Sequence, residues 1–224
     1  MIGSLLPAPV VTAEAFGDPG TGQLFPEEAE LIQRAVPERR REFTTVRGLA
    51  RAALGRLGHA PAPILPGVRG APQLPRGVVG SMTHCRGYRA AAMAHARDVV
   101  TVGIDAEPNL PLPSAGVVEM VLSAGERAHV RHLTALRPAV HWDRLIFSAK
   151  ESVFKAWFPL TGRELDFPQA SLEIDLESGT FHARLLVPGP EVARASLTGF
   201  DGRWQVDRGL IVTAIALHRE DPDG

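Results

Sequence analysis

The sequence predicts an α+β fold, because the spacing of its apolar residues changes in blocks along the chain. Over residues 37–57 they recur at helical intervals, with Phe43, Val46, Leu49, Ala50, Ala53, Leu54 and Leu57 on one side. Residues 78–104 break into three short runs suited to strands, and residues 171–217 into four more, with helical patterns between. The prolines at 108, 111 and 113 make a linker between the blocks. They set the expected boundary between an N-terminal lobe, 1–108, and a C-terminal lobe, 109–224.

Residues 1–25, mixed in Gly and Pro, read as an extended lead-in. Pro26 opens a helix whose Glu27, Glu28 and Glu30 suit the positive end of the helix dipole. A second helix runs from Pro37 to about Leu57 and ends at Gly58. Arg39, Arg47 and Arg51 fall between its apolar positions and form a basic edge. Residues 59–77 hold five prolines and make a loop. Val78–Thr83, Tyr88–His95 and Val99–Ile104 then read as an antiparallel meander, turned at Arg86-Gly87 and Arg97-Asp98.

Ser123-Ala124-Gly125-Glu126 is a capping-box pattern that starts a helix ending before Pro138. A longer helix runs from about Pro138 to Phe158 and is stopped by Pro159. Strands follow at Ser171–Leu176, Thr180–Val187, Arg203–Val206 and Leu210–Leu217, with Gly179 and Asp201-Gly202 in turns. Each half thus sets helices beside a small antiparallel sheet, and no sequence repeat relates them.

The chain has 224 residues, 45% hydrophobic and 22% charged, enough for a real core. Its net charge of -1 excludes a global basic field, and with it nucleic acid as the main partner. No segment is long and apolar enough for a membrane span. The start lacks a basic region and is broken by Pro7 and Pro9, so no secretory signal is expected. One cysteine, Cys85, allows no intrachain disulfide, and the cytoplasm is the default location. His84 and Cys85 are adjacent on a strand and point to opposite faces, which argues for a buried thiol rather than a nucleophile pair.

Two acidic clusters carry the chemistry. Asp105 and Glu107, in Gly103-Ile104-Asp105-Ala106-Glu107, are two apart at a strand end, so both carboxylates lie on one side. Magnesium takes one or two such carboxylates and fills its shell with water and phosphate; two solvated acids are the plainer reading. Glu151 and Lys155 are four apart on a helix and share a face, as an ordinary surface ion pair does. Their helix is strongly apolar, however, and charges buried there need partners. Lys150 stands beside them. His84, with Ser81 and Thr83 nearby, is more commonly a satisfied core or surface histidine, but it also suits an anion contact. Arg39 and Arg47 suit phosphate oxygens or a solvated helix face.

Taken in order, four segments resemble the Sfp-type phosphopantetheinyl transferases, in particular the enterobactin-synthetase-associated branch. They are residues 43–51 (FTTVRGLAR), 80–85 (GSMTHC), 102–108 (VGIDAEP) and 142–158 (WDRLIFSAKESVFKAWF). The resemblance covers about residues 39–170. It implies two similar α+β lobes with the active site in the cleft between them. It implies transfer of phosphopantetheine from coenzyme A to a serine of apo acyl or peptidyl carrier proteins, releasing adenosine 3′,5′-bisphosphate. By position, Asp105, Glu107 and Glu151 would hold magnesium, with manganese as an alternative. Lys150 and Lys155 would contact the phosphates, and Arg39, Arg47 and His84 the adenosine end. Ser81, Thr83 and the loop residues Arg69 and Gly70 join that substrate-binding set. Glu151 would accept the serine proton, with Lys155 beside it.

Two departures stand out. Relatives often have a lysine where this chain has Pro66, and Arg69 is the expected replacement. Relatives also carry an aromatic near Glu164. A non-catalytic coenzyme A or carrier-binding module, and a metal-dependent phosphohydrolase, are the competing classes. The intact acids and lysines disfavour the first, and the lack of a second metal cluster disfavours the other. A two-lobed chain needs no partner to complete its cleft, so a monomer is expected.

Overall fold

The computed structural model describes residues 1–20 and 22–219. In order, the elements are β1 (Val11–Phe16), α1 (Pro26–Leu31), α2 (Pro37–Arg56), β2 (Val78–Cys85), β3 (Tyr88–His95) and β4 (Val99–Pro108). Then come α3 (Ala115–Val121), α4 (Ala124–Leu136), α5 (Trp142–Thr161), β5 (Ala170–Asp175), β6 (Thr180–Leu185), β7 (Glu191–Val192), β8 (Ala195–Ser196), β9 (Gly199–Asp207) and β10 (Leu210–His218). The class is α+β, as the sequence predicts. A three-stranded sheet has the order β1-β3-β2, and a five-stranded sheet the order β4-β10-β9-β6-β5, all antiparallel.

Helix α2 covers one face of the first sheet, where Ala50, Ala53 and Leu54 pack on Ala91 and Met93. The other face of β3, through Tyr88, Ala90 and Ala92, shares a core with Ile104, Ala106, Val212 and Ala214 of the second sheet. Helix α5 lies on the far side of that second sheet, in the largest core, with Trp142, Leu145, Val153 and Trp157 against Phe181, Phe200 and Ile211. Trp142 meets Trp204 edge-on at 5.3 Å. Burial on both faces explains why β3 and β10 read as continuous apolar runs.

Six local expectations need correction. Asp201-Gly202 is not a turn but lies inside β9, where Gly202 sits between Phe181 and Ile215 of the neighbouring strands. The lead-in is not merely extended: Val11–Phe16 forms β1 and pairs with β3, a partner distant in sequence that no local pattern announces. The meander is broken, because β4 leaves β3 and becomes the edge of the second sheet beside β10. That pairing carries the strand on to Pro108, so Asp105 and Glu107 lie within β4, not beyond it. The proline linker contains a helix, α3, capped by the Ser114 hydroxyl, which accepts from the Val117 amide at 3.3 Å. Finally, α5 starts at Trp142 and runs through Pro159 to Thr161. A proline in the last turn removes one backbone donor, and Gly162, left-handed at φ 61°, closes the end with its N–H on the Phe158 carbonyl.

The capping box at Ser123 and Glu126 forms as expected. Among the described residues no helix is long and apolar enough to cross a membrane.

Candidate active site

Strands β2 and β4 lie side by side without a backbone ladder. Instead the Ser81 hydroxyl accepts from the Ile104 amide at 3.2 Å, and the Thr83 hydroxyl from the Ala106 amide at 3.1 Å. Two hydroxyls at alternate positions thus bind two amides at alternate positions, and they join the edges of the two sheets. Thr83 is buried and also donates to Asp105 Oδ1 at 3.2 Å. The junction therefore aims the first acid.

Asp105 is 5% exposed. Lys155 Nζ reaches its Oδ1 at 2.7 Å, and Ser148 Oγ donates to Oδ2 at 2.8 Å. Glu107 projects the same way along β4 and receives Arg144 Nη1 at 3.0 Å. Burial, then the charge of Asp105, pushes the Glu107 carboxyl up to about 7. The same two causes, in the same order, raise Glu151 above the usual carboxylate range, with Lys155 opposing. The three acids thus share one electrostatic neighbourhood.

A cavity of about 610 Å³ is lined by one of them, Glu151, and by Lys155, which binds Asp105. Arg39, Phe43 and Arg47 of α2 line one wall, and Arg69 and Gly70 of the 66–72 loop another. Ser81 and His84 come from β2, and Glu151, Phe154 and Lys155 from α5. Both halves of the chain therefore contribute. A second cavity, of about 590 Å³, lies on the outer face of β5, β6 and β9 and contains none of the expected residues.

Arg47 is nearly buried, with its guanidinium 3.8 Å over the Phe43 ring and Nε donating to the Ile64 carbonyl. Burial lowers it to about 10. Arg39 Nη1 donates to His84 Nε2 at 2.6 Å. Desolvation, then the charge of Arg39, holds the His84 imidazole below its ordinary value, which suits an Nε2 acceptor. Arg51 is withdrawn from the basic edge: its Nη1 holds both oxygens of the fully buried Glu28 at 2.8 and 2.9 Å. Arg69, the expected replacement at the Pro66 loop, pairs with Glu164, so the loop is tied to the segment after α5.

Four of the expected site residues do not line the cavity: Asp105 and Glu107 lie beside it on β4, and Thr83 and Lys150 face elsewhere. Thr83 faces β4. Lys150 points to the opposite side of α5, where Nζ donates to the Val121 carbonyl, Glu126 and the Phe167 carbonyl at 2.8–2.9 Å. Both charges of that pair are 2% exposed, so its job in the fold is to bind α3, α4 and the segment before β5 to α5.

Sequence reading passed over Arg144, Ser148, Ser152 and Thr213. The first three lie inside the 142–158 motif, where a hydroxyl or cation on an apolar helix was the available signal. Thr213 had only its being a polar residue within the apolar run of β10.

Among the described residues no group of three His, Cys, Asp or Glu stands close enough to hold a metal ion unaided. Each of the two acids of β4 has a cation beside it instead. The donors are nevertheless all oxygen, and the Glu107 and Glu151 carboxyls are raised first by burial and then by the charge of Asp105, both of which a divalent cation would offset. An ion that takes part of its shell from phosphate and water fits this set.

Residues 27–94 match the 4′-phosphopantetheinyl transferase N-terminal domain, and residues 101–205 the 4′-phosphopantetheinyl transferase superfamily. Three curated proteins are similar along nearly their whole length. The 4′-phosphopantetheinyl transferase Svp of Streptomyces mobaraensis is 61% identical over 97% of this chain and 89% of its own. PptT of Mycobacterium tuberculosis is 46% identical over 97% and 98%. Npt of Nocardia iowensis is 46% identical over 96% and 99%. Both carry the same enzyme name as Svp.

Proposed function

This chain belongs to the 4′-phosphopantetheinyl transferase superfamily, and from that premise we propose that it moves phosphopantetheine from coenzyme A to a serine hydroxyl of apo acyl and peptidyl carrier proteins. We assign it to the Sfp-type branch, acting in the cytoplasm as a monomer with magnesium, or manganese in its stead.

The observation that carries this reading is the single cavity shared by Arg39, Arg47 and His84 on one side and Glu151 and Lys155 on the other. Arginine forks and an imidazole suit a phosphate at the adenosine end, on the side of residues 1–108. Arg69, Gly70 and Ser81 extend that wall. Lys155, from the 109–224 side, meets the diphosphate as a point charge. Asp105, Glu107 and Glu151 are the residues that would hold the cation. When bound, magnesium supplies charge neutralisation for the diphosphate and its leaving oxygen.

In the transfer, the carrier serine Oγ bonds to the phosphorus that bears the pantetheine arm. The P–O bond to adenosine 3′,5′-bisphosphate breaks, and the serine proton passes to Glu151. A carboxylate raised by burial is a better proton acceptor than a solvated one, and this supports Glu151 in that role. Thr83 and Lys150 act at one remove, Thr83 by aiming Asp105 and Lys150 by anchoring α5.

The test is a mass gain on apo carrier proteins incubated with the protein, coenzyme A and magnesium. Fatty-acid, polyketide and peptide carriers should be tried together. A folded protein that leaves every carrier at its apo mass overturns the assignment.

A further inference from the structure

We propose that Thr213, with Ser148 and Ser152, is a positioning device that fixes the Asp105 carboxylate and thereby sets how tightly the site holds a divalent cation. The inference rests on the reading of Asp105 as a metal ligand given above.

Ser148, Ser152 and Thr213 are each 0% exposed, in the otherwise apolar contact between α5 and the second sheet. Hydroxyls in such a place weaken the core unless they are bonded. Here they bond to one another in a line that ends on Asp105. Ser152 Oγ lies 2.6 Å from Thr213 Oγ1, Thr213 Oγ1 lies 3.0 Å from Ser148 Oγ, and Ser148 Oγ lies 2.8 Å from Asp105 Oδ2. Thr213 stands directly opposite Asp105 in the β10–β4 register.

The direction of the line follows from the chemistry of its end. A carboxylate only accepts, so the one hydroxyl proton of Ser148 goes to Asp105. The Ser148 side is then left with acceptors only, its Oγ and its carbonyl oxygen. Both are 3.0 Å from Thr213 Oγ1, whose single proton they share. Ser152 Oγ in turn shares its proton between Thr213 Oγ1 at 2.6 Å and the Thr213 carbonyl oxygen at 3.2 Å. Hydrogen bonds aligned this way polarise one another toward the carboxylate.

A carboxylate has about four lone-pair positions. Thr83 and Lys155 occupy Oδ1, and Ser148 occupies one position on Oδ2. One position, on Oδ2, remains for a cation. Without the line behind it, Ser148 and with it Oδ2 can shift, while Thr83 and Lys155 still hold Oδ1. Groups that orient a metal ligand in this way change affinity by about 10–100-fold when removed. Thr213 also lies outside residues 101–205, the part of the chain that matches the superfamily.

The experiment is titration of the full-length protein with manganese(II) in the presence of coenzyme A, with free manganese read by electron paramagnetic resonance. Thr213→Val keeps the shape and removes the hydroxyl. It is expected to weaken manganese binding roughly 10-fold or more, and Thr213→Ser to restore it. A purely structural Thr213 would instead lower the unfolding midpoint and leave the manganese Kd where it was; that result overturns the proposal. Should Thr213→Val fail to fold, Ser148→Ala, which removes the Asp105 donor directly, is read in the same titration and decides the matter the same way. If the parent itself takes up no manganese beside coenzyme A, the metal reading falls first, and this inference with it.

Discussion

Gly103 of β4 lies so close under Ser152 of α5 that a methyl group on it would overlap the Ser152 carbonyl oxygen and stand 2.9 Å from the Ala156 amide. This contact sets the distance between the strand that carries Asp105 and the helix that carries Glu151. Gly103→Ala therefore drives the two apart. Overpacking of this kind costs about 1–3 kcal/mol, and transfer activity should fall alongside stability. Urea unfolding measures the first, and an unchanged midpoint would mean that α5 has room to retreat.

Glu151→Gln keeps the size of the side chain and removes the proton acceptor. Carrier modification should slow by about 10²–10⁴-fold, with an unaltered circular dichroism spectrum. Turnover near that of the parent would remove Glu151 from the proton transfer.

Most helices and strands were legible because each has a local cause. The Ser123–Glu126 box, the α2 periodicity and the period-two runs of β5 and β6 are written in neighbouring residues. The errors came where a distant partner decides. Val11–Phe16 becomes a strand only against β3, and β4 extends through Asp105 to Pro108 only because β10 runs beside it. At the candidate site, residue types and the family resemblance singled out Asp105, Glu107, Glu151 and Lys155, which the fold brings into one neighbourhood. Spacing was silent about Lys150, whose position on α5 turns it away from the cavity toward Glu126. It was equally silent about Thr213, which reaches Asp105 only through Ser148.

Removing one member of the buried Lys150–Glu126 pair leaves the other charge without a partner. Lys150→Met should cost about 3–5 kcal/mol in denaturant unfolding, and adding Glu126→Gln should recover part of it. The KM for coenzyme A in the folded single variant should stay near the parental value. A large rise would put the Lys150 ammonium on the phosphates after all.

His84 gives the stability a pH dependence. Folded, its imidazole is held below the ordinary 6.5 by desolvation and Arg39. Between the two values the unfolded chain binds more protons. Its contribution to stability is therefore present above about 6.5 and is lost as pH falls through the folded value. His84→Gln should flatten that acid-side decline in thermal unfolding. Parallel slopes for parent and variant would show that the imidazole charges as readily in the fold as out of it.

Burial, then the charges of Glu107 and Asp105, pushes the Cys85 thiol up to about 12. Thiolate is the reactive form, so a disulfide reagent at pH 8 should label the native protein slowly and the denatured protein at once. Rapid labelling of native protein would mean that Cys85 is not shielded.

Strand β4 precedes the proline-rich stretch in the chain yet belongs to the later sheet, and two hydroxyls bind it to the earlier one. A separately expressed N-terminal fragment ending at 108 would carry Asp105 and Glu107 on an orphan strand, and the complementary fragment would keep Glu151 with nothing to face. Neither fragment, grafted alone onto another scaffold, would bring all three acids with it.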